Sequence, residues 1–291
     1  MIVHLVDGTY ELFRCFYGLK RSTKPDDGLG AVRLVLSTLL QMVENGATHL
    51  GVATDHVIES FRNRLWPGYK TGDGVDPSLL AQFQPFEDSL SAFGFLVWPM
   101  VELEADDALA SAAAAAQAAP STEKVNIWTP DKDLAQCVVG NSVVQVDRRT
   151  GQIRNADEVL AKFGVSPRSI PDYLALVGDS ADGYPGIPGW GPKSAAALLS
   201  RYPSLMDVPI GDPQWRPNAA NAGGLAHSLR SNWDQALLFR DLATLRKDAA
   251  VFASVEELEW KGPRPGAKSL AGSIAAESLL ERAQRAAADF R

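Results

Sequence analysis

The chain of 291 residues carries 35 acidic and 28 basic side chains, a formal net charge of -7, with 46% apolar and 22% charged residues. That length and balance suit one large or two modest domains with a packed core, and exclude general disorder. The acidic excess also excludes a broad basic coat of the kind that binds nucleic acid everywhere along a surface.

In chain order, short apolar runs recur at Ile2–Val6, Leu50–Ala53, Phe95–Trp98, Val125–Trp128 and Val143–Val146, each of buried-strand length. Between the first two, Val32, Val35, Leu36, Leu39, Leu40 and Val43 follow the 3.6-residue helical period. Strands alternating with helices predict an α/β fold, a mainly parallel sheet flanked by helices with right-handed crossovers. The alanine-rich Ser111–Ala119 predicts a close-packed helix rather than a linker, because alanine is the best helix former. From about Pro167 the pattern turns helical, with a Gly/Pro-rich interruption at Gly183–Pro192. Residues 208–224 read as a long surface loop, 251–260 as a short extended piece and 271–290 as a terminal helix. Two cysteines, Cys15 and Cys137, exclude a disulfide scaffold and a four-cysteine zinc site. The N-terminus lacks a basic region and its apolar run stops at Asp7, and no run of about 18 apolar residues is present. A soluble, cytoplasmic chain with no membrane partner is expected.

Carboxylates follow the apolar runs. Asp7 follows the first, Asp55 the second, and Glu104, Asp106 and Asp107 the third, while Asp131 and Asp133 follow the fourth. In a parallel sheet these strand ends lie on one edge, where ligand sites form. Asp179 and Asp182 add a pair three residues apart. A single Asp after a strand is usually a turn residue or a helix N-cap. A converging set is different, because like charges repel unless a cation neutralises them. All-oxygen sites suit hard divalent ions such as Mg2+ or Mn2+, and two such ions would serve phosphodiester hydrolysis.

The second informative stretch is Gly186-Ile187-Pro188-Gly189-Trp190-Gly191-Pro192-Lys193-Ser194. Pro192 separates the last glycine from Lys193, so a nucleotide-binding P-loop is excluded. The stretch predicts a helix–turn–helix in which Gly186, Gly189 and Gly191 allow close approach of a phosphate backbone. Lys193, Ser194 and a helix starting near Pro192 would hold it.

Together these segments resemble the 5′ nuclease (flap endonuclease-like) family, in particular the N-terminal domain of bacterial DNA polymerase I and its stand-alone relatives. VDGTYELFRCFYG is similar to the family's opening strand, with Asp7 and Arg14. ATDHVIESFRNRLWPGYKTG resembles its second metal Asp, S-F-R signature and arch Tyr-Lys, here Asp55, Arg62, Tyr69 and Lys70. LEADDALAS, TPDKDLAQ and VGDSADGYPGIPGWGPKSAAALL resemble the E-A-D-D, T-x-D-K-D-x-x-Q and G-D-x-x-D-N-x-P-G-x-x-G-x-G-x-K-T-A segments. Asp73 stands where the family often has Arg, which leaves Arg62 and Arg64 as the candidates for gripping a single strand.

The resemblance implies a nuclease domain over 1–165 with a helical arch near 56–93. It implies a helical DNA-binding region over 166–291 with a helix–three-turn–helix near 183–201. Asp7, Asp55, Glu104 and Asp106 are expected to hold one ion, and Asp131, Asp133, Asp179 and Asp182 a second, with Asp107 between or behind them. Lys70 and Arg14 are the expected stabilisers of phosphoryl charge, and Tyr69 the candidate for stacking on an unpaired base. Phe61, Trp66 and Trp190 are expected to pack internally. A monovalent cation such as K+ at the glycine turn, DNA with 5′ ends, flaps or nicks as partner, and a monomeric chain without a following polymerase segment complete the expectation. A PIN-type ribonuclease, a non-catalytic junction-binding module and a structural cation-binding protein are the alternatives. Setting nine site carboxylates aside leaves 26 acidic against 28 basic residues. The net acidity is thus confined to the set expected to bind metal.

Overall fold

The apolar runs fold as strands in a computed structural model that describes residues 1–21 and 28–289. The first half builds β1 (Ile2–Asp7), α1 (Gly8–Lys20), α2 (Gly30–Glu44), β2 (His49–Asp55), α3 (Phe61–Leu65), α4 (Pro77–Leu80), α5 (Phe83–Ala92), β3 (Leu96–Met100), α6 (Ala105–Ala118) and β4 (Lys124–Trp128). Then come β5 (Val143–Val146), β6 (Ile153–Arg154), α7 (Ala156–Phe163), α8 (Ile170–Val177) and α9 (Pro192–Leu199). The chain closes with α10 (Ala222–Ser231), α11 (Trp233–Ala243), α12 (Ala267–Ser273) and α13 (Glu277–Asp289). Two compact units result, one of residues 1–58, 72–129 and 247–291, the other of 59–71 and 130–246.

In the first unit β3, β2, β1 and β4 lie side by side in that order, all parallel. The register pairs Val3 with both His49 and Val125, and Gly51 with Leu96. Parallel strands are covered on both faces, which is why these segments read as unbroken apolar runs. The stripe of α2 from Val32 to Val43 is buried as its spacing predicts. The alanine-rich α6 packs on β1, β2 and β4, its small side chains letting helix and sheet approach closely. The carboxyl ends of the parallel strands share one edge. There the chain continues from β1 directly into α1 and from β3 through a short turn into α6.

The second unit holds the antiparallel pair β5–β6, with Gln145 opposite Arg154, and the helices α3 and α7 to α11. Its core gathers Ile170, Leu174, Leu198, Leu225 and Phe239. The segment 178–191 joins α8 to α9, and α8 packs on both α9 and α11.

The compact units are not contiguous in sequence. Residues 130–165 group with the helices that follow, and the arch region 56–93 is split, with α3 in one unit and α4 and α5 in the other. The last segment returns to the first unit because Trp260, Ala271, Leu280 and Ala283 share the core of α2. The expected terminal helix is two helices, broken where Ala275 takes a positive φ of 49°; Phe290 lies outside the described residues. The expected extended piece 251–260 contains a 3-10 turn at Val255–Leu258, after which Glu259 bridges antiparallel to His49. Among the described residues no helix is long and apolar enough to cross a membrane.

Candidate metal centre and nucleic-acid surface

In the first unit the strand-end carboxylates sit at helix N-termini. Asp7 is the N-cap of α1, accepting the Tyr10 N–H at 2.9 Å on one oxygen and the Thr129 hydroxyl at 2.9 Å on the other. Asp55 accepts the Ala105 N–H at 2.8 Å, the first amide of α6. Glu104 caps α6 in a reciprocal box with Asp107, whose carboxylate accepts the Glu104 N–H at 3.0 Å. Asp106 is half-buried in the first turn of that helix. The capping role and a metal role are compatible, since each carboxylate oxygen has two lone pairs and the helix dipole stabilises its ionised form. The structure thus gathers Asp55, Glu104, Asp106 and Asp107 around the start of α6 and places Asp7 at the start of α1. Arg14 is held 2.5 Å from buried Glu11.

The second unit draws three carboxylates together. Oxygens of Asp133, Asp179 and Asp182 lie within 4.8 Å of one another. Asp133 is only 5% exposed and Asp179 only 3%. One Asp133 oxygen is buried and accepts no hydrogen bond. Burial, then the charges of Asp131, Asp182 and Asp179, push the Asp133 carboxyl well above its ordinary pKa, with Lys132 opposing them. Lys132 reaches Asp179 at 2.6 Å, and Lys70 reaches Asp182 at 3.1 Å. Burial alone would lower the Lys132 ammonium, but its hydrogen bond to Asp179 and the neighbouring aspartates outweigh that and raise it. Asp131 is exposed and organises the loop by accepting the Asp133 N–H at 2.8 Å. An unsatisfied, buried carboxylate oxygen beside two more carboxylates is the donor set of a hard divalent cation. The residues present therefore fit such an ion.

Three expected contacts are corrected by burial. Arg62 is 1% exposed, and its guanidinium donates to the Leu242 carbonyl at 2.8 Å and the Thr244 carbonyl at 3.3 Å, so it ties α3 to the end of α11 instead of reaching DNA. Tyr69 is 3% exposed in the core of the second unit, so its ring presents no face for a base. Gly186 has φ 74°, and a Cβ there would lie 2.4 Å from the Gly178 nitrogen. Its role is backbone packing within the turn rather than contact with phosphate. Arg64 is exposed.

The other expected contact residues of the turn line a groove. A groove of about 710 Å³ is lined by Gly189, Gly191, Pro192, Lys193 and Ser194 together with Asn218–Asn221. Gly191 caps α9, and the Ser194 hydroxyl bonds both its N–H and its carbonyl at 3.0 Å. A Cβ on Gly191 would meet nothing within 4 Å. Trp190 anchors the turn by donating to the Leu225 carbonyl, and Trp66 packs edge-on against Phe239, both as expected of internal residues. Two residues at the carboxylates escaped the sequence reading. Lys132 lies inside the T-x-D-K-D segment, a signal that was present; Tyr184 occupies a position the family pattern leaves open.

The family model described as "5'-3' exonuclease, N-terminal resolvase-like domain" matches residues 2–164, and that described as "5'-3' exonuclease, C-terminal SAM fold" matches residues 165–266. DNA polymerase I of Pseudomonas aeruginosa is 34% identical over 259 residues, 87% of this chain and 28% of that protein. The chain spans about a quarter to a third of the length of the DNA polymerase I relatives it matches. A 5'-3' exonuclease of Aquifex aeolicus is 32% identical over 209 residues, 71% of each chain. Among solved structures, the T5 D15 protein co-crystallized with metal ions superposes with a TM-score of 0.68 at 17% identity, over 97% of this chain and all of that one. The chain belongs to the 5′-3′ exonuclease family.

Proposed function

We propose that this chain is a structure-specific 5′ nuclease, a 5′-3′ exonuclease and/or flap endonuclease that hydrolyses DNA phosphodiesters with divalent cations in primer removal or repair. Family membership supports the reaction, and the clustered carboxylates of Asp133, Asp179 and Asp182 carry the metal dependence. T5 relatives of the same fold are described with zinc bound, and with DNA and metal ions together. In this reading Asp133, Asp179 and Asp182 hold one Mg2+ or Mn2+, with Asp131 fixing their loop. Asp7, Asp55, Glu104 and Asp106 hold another, with Asp107 orienting Glu104. A bound divalent cation lowers the pKa of water and offsets charge on the phosphate.

The protein's own groups do the rest. The Lys70 ammonium, held at Asp182, stabilises charge growing on the phosphoryl oxygens. Arg14 acts similarly from α1, where Glu11 fixes its guanidinium. Gly189, Gly191, Lys193 and Ser194 receive a duplex phosphate at the start of α9, a contact that positions the substrate without reading sequence. Arg64 is the exposed arch cation left to meet the displaced strand. A K+ ion at the loop between α8 and α9, a monomeric state and a cytoplasmic location belong to the same proposal.

The test is cleavage of end-labelled 5′-flap, nicked and blunt DNA, with single-stranded RNA as a comparison, in Mg2+ and in EDTA. Mg2+-dependent cleavage near the 5′ end or flap junction is expected. Cleavage of the RNA alone would replace this reading with the ribonuclease one.

A further inference from the structure

The Tyr184 hydroxyl is buried in the second unit and has no hydrogen-bond partner, and the residue is only 1% exposed. A buried hydroxyl without a partner loses its solvation for nothing in return, so its persistence calls for an explanation. Its neighbours supply one. The backbones of Tyr184 and Asp179 are paired in both directions, the Asp179 N–H donating to the Tyr184 carbonyl at 2.8 Å and the Tyr184 N–H to the Asp179 carbonyl at 3.0 Å. Directly opposed residues of such a bridge project to the same side. The two residues also line one cleft of about 430 Å³ with Ser180 and Gly183. The ring is fixed against Phe239, with centroids 5.3 Å apart. A phenol is protonated at neutral pH and has a proton to donate. In the same unit, one Asp133 oxygen is likewise buried without a partner.

We infer that Tyr184 is a positioning residue of the metal centre, its hydroxyl donating a hydrogen bond into the hydration shell of the divalent cation held by Asp133, Asp179 and Asp182. The inference rests on the reading of that triad as a cation site. Small divalent ions keep several of their waters, and the protein groups that hydrogen-bond around a site strongly affect metal affinity. Tyr184 would add a neutral hydroxyl donor to a site whose charged donors, Lys132 and Lys70, are held by Asp179 and Asp182. It would also orient Asp179 through the paired backbone.

The experiment uses the full chain and Mn2+ as probe, with free Mn2+ read by electron paramagnetic resonance and unfolding temperature read in EDTA and in Mn2+. Wild type is compared with Tyr184→Phe and Asp133→Asn, the latter defining the site of interest by difference. Tyr184→Phe is expected to unfold no earlier than wild type in EDTA, since it removes only an unsatisfied hydroxyl. Its Mn2+ affinity at the Asp133-dependent site is expected to fall roughly tenfold, with a smaller rise in unfolding temperature on adding Mn2+. If Tyr184→Phe binds Mn2+ within twofold of wild type while Asp133→Asn is weakened, the role of Tyr184 is overturned and the cation site stands. If wild type binds no Mn2+, or Asp133→Asn binds as wild type does, the cation site falls and the role of Tyr184 falls with it.

Discussion

Lys70 and Asp182 are joined twice: the Lys70 amide donates to the Asp182 carbonyl at 3.0 Å, and the Lys70 ammonium lies 3.1 Å from the Asp182 carboxylate. The segment carrying Lys70 is therefore fastened by its backbone as well as by its side chain. Lys70→Ala should leave the backbone link intact and remove the ammonium together with its alkyl stem. The single-turnover cleavage rate should fall by roughly 10²–10³-fold, the scale of losing one stabiliser of transition-state charge. Equilibrium binding of flapped DNA in Ca2+ should change far less. A loss confined to binding would refute the assigned role.

Asp133 gives a pH dependence with a definite sign. Its folded carboxyl titrates well above the unfolded one because burial and three neighbouring aspartates disfavour the anion. Below the unfolded pKa both states are protonated and the group costs nothing. As pH rises past that point the unfolded chain ionises first, and stability is lost until the folded carboxyl ionises as well. In EDTA, Asp133→Asn should match wild type near pH 4 and unfold roughly 2–6 °C higher at pH 7. Adding Mn2+ should stabilise wild type more than the variant. Calorimetry at the two pH values checks this; a variant less stable at pH 7 in EDTA would contradict it.

Arg62 should behave as a structural residue. Truncation to Ala would leave the Leu242 and Thr244 carbonyls without their donor and open space beside Phe61, whose ring lies 4.6 Å from the guanidinium. A loss of about 2–4 kcal/mol is expected from denaturant unfolding. DNA affinity of the protein that remains folded should be unchanged. Arg62→Lys should recover little of the stability, because an ammonium cannot reproduce the fork.

The glycine turn yields a paired comparison. At Gly186 a Cβ meets backbone at 2.4 Å under a positive φ, so Gly186→Ala should destabilise the fold by more than about 1 kcal/mol. At Gly191 the φ is -144° and a Cβ meets nothing, so Gly191→Val should fold normally. It should nevertheless weaken duplex binding in a gel shift, because a side chain would stand where the phosphate approaches. Unchanged binding by Gly191→Val would remove the phosphate groove from the proposal.

The strands, the stripe of α2 and the alanine-rich α6 were legible in the sequence because each is a local pattern with a local cause. The strand-end carboxylates were legible for a similar reason: a parallel sheet aligns strand ends whatever lies between them. Arg62 and Tyr69 were not. Their exposure is decided by Leu242, Thr244 and the second core, partners far along the chain that residue type does not announce. The return of α12 and α13 to the core of α2 was hidden likewise, since only tertiary packing makes it. Tyr184 was missed because a tyrosine in a turn carries no signal until its hydroxyl is found buried and unpaired.

The most direct measurement is Mg2+-dependent cleavage of an end-labelled 5′-flap duplex by wild type and Asp179→Ala, paired with binding of the same duplex in Ca2+. Wild type should cut at the flap junction only when a divalent ion is present. Asp179→Ala should bind the duplex and release no product, because one of the three clustered carboxylates is gone. Cleavage by Asp179→Ala at the wild-type rate, or cleavage by wild type in EDTA, would contradict the metal-dependent nuclease described above.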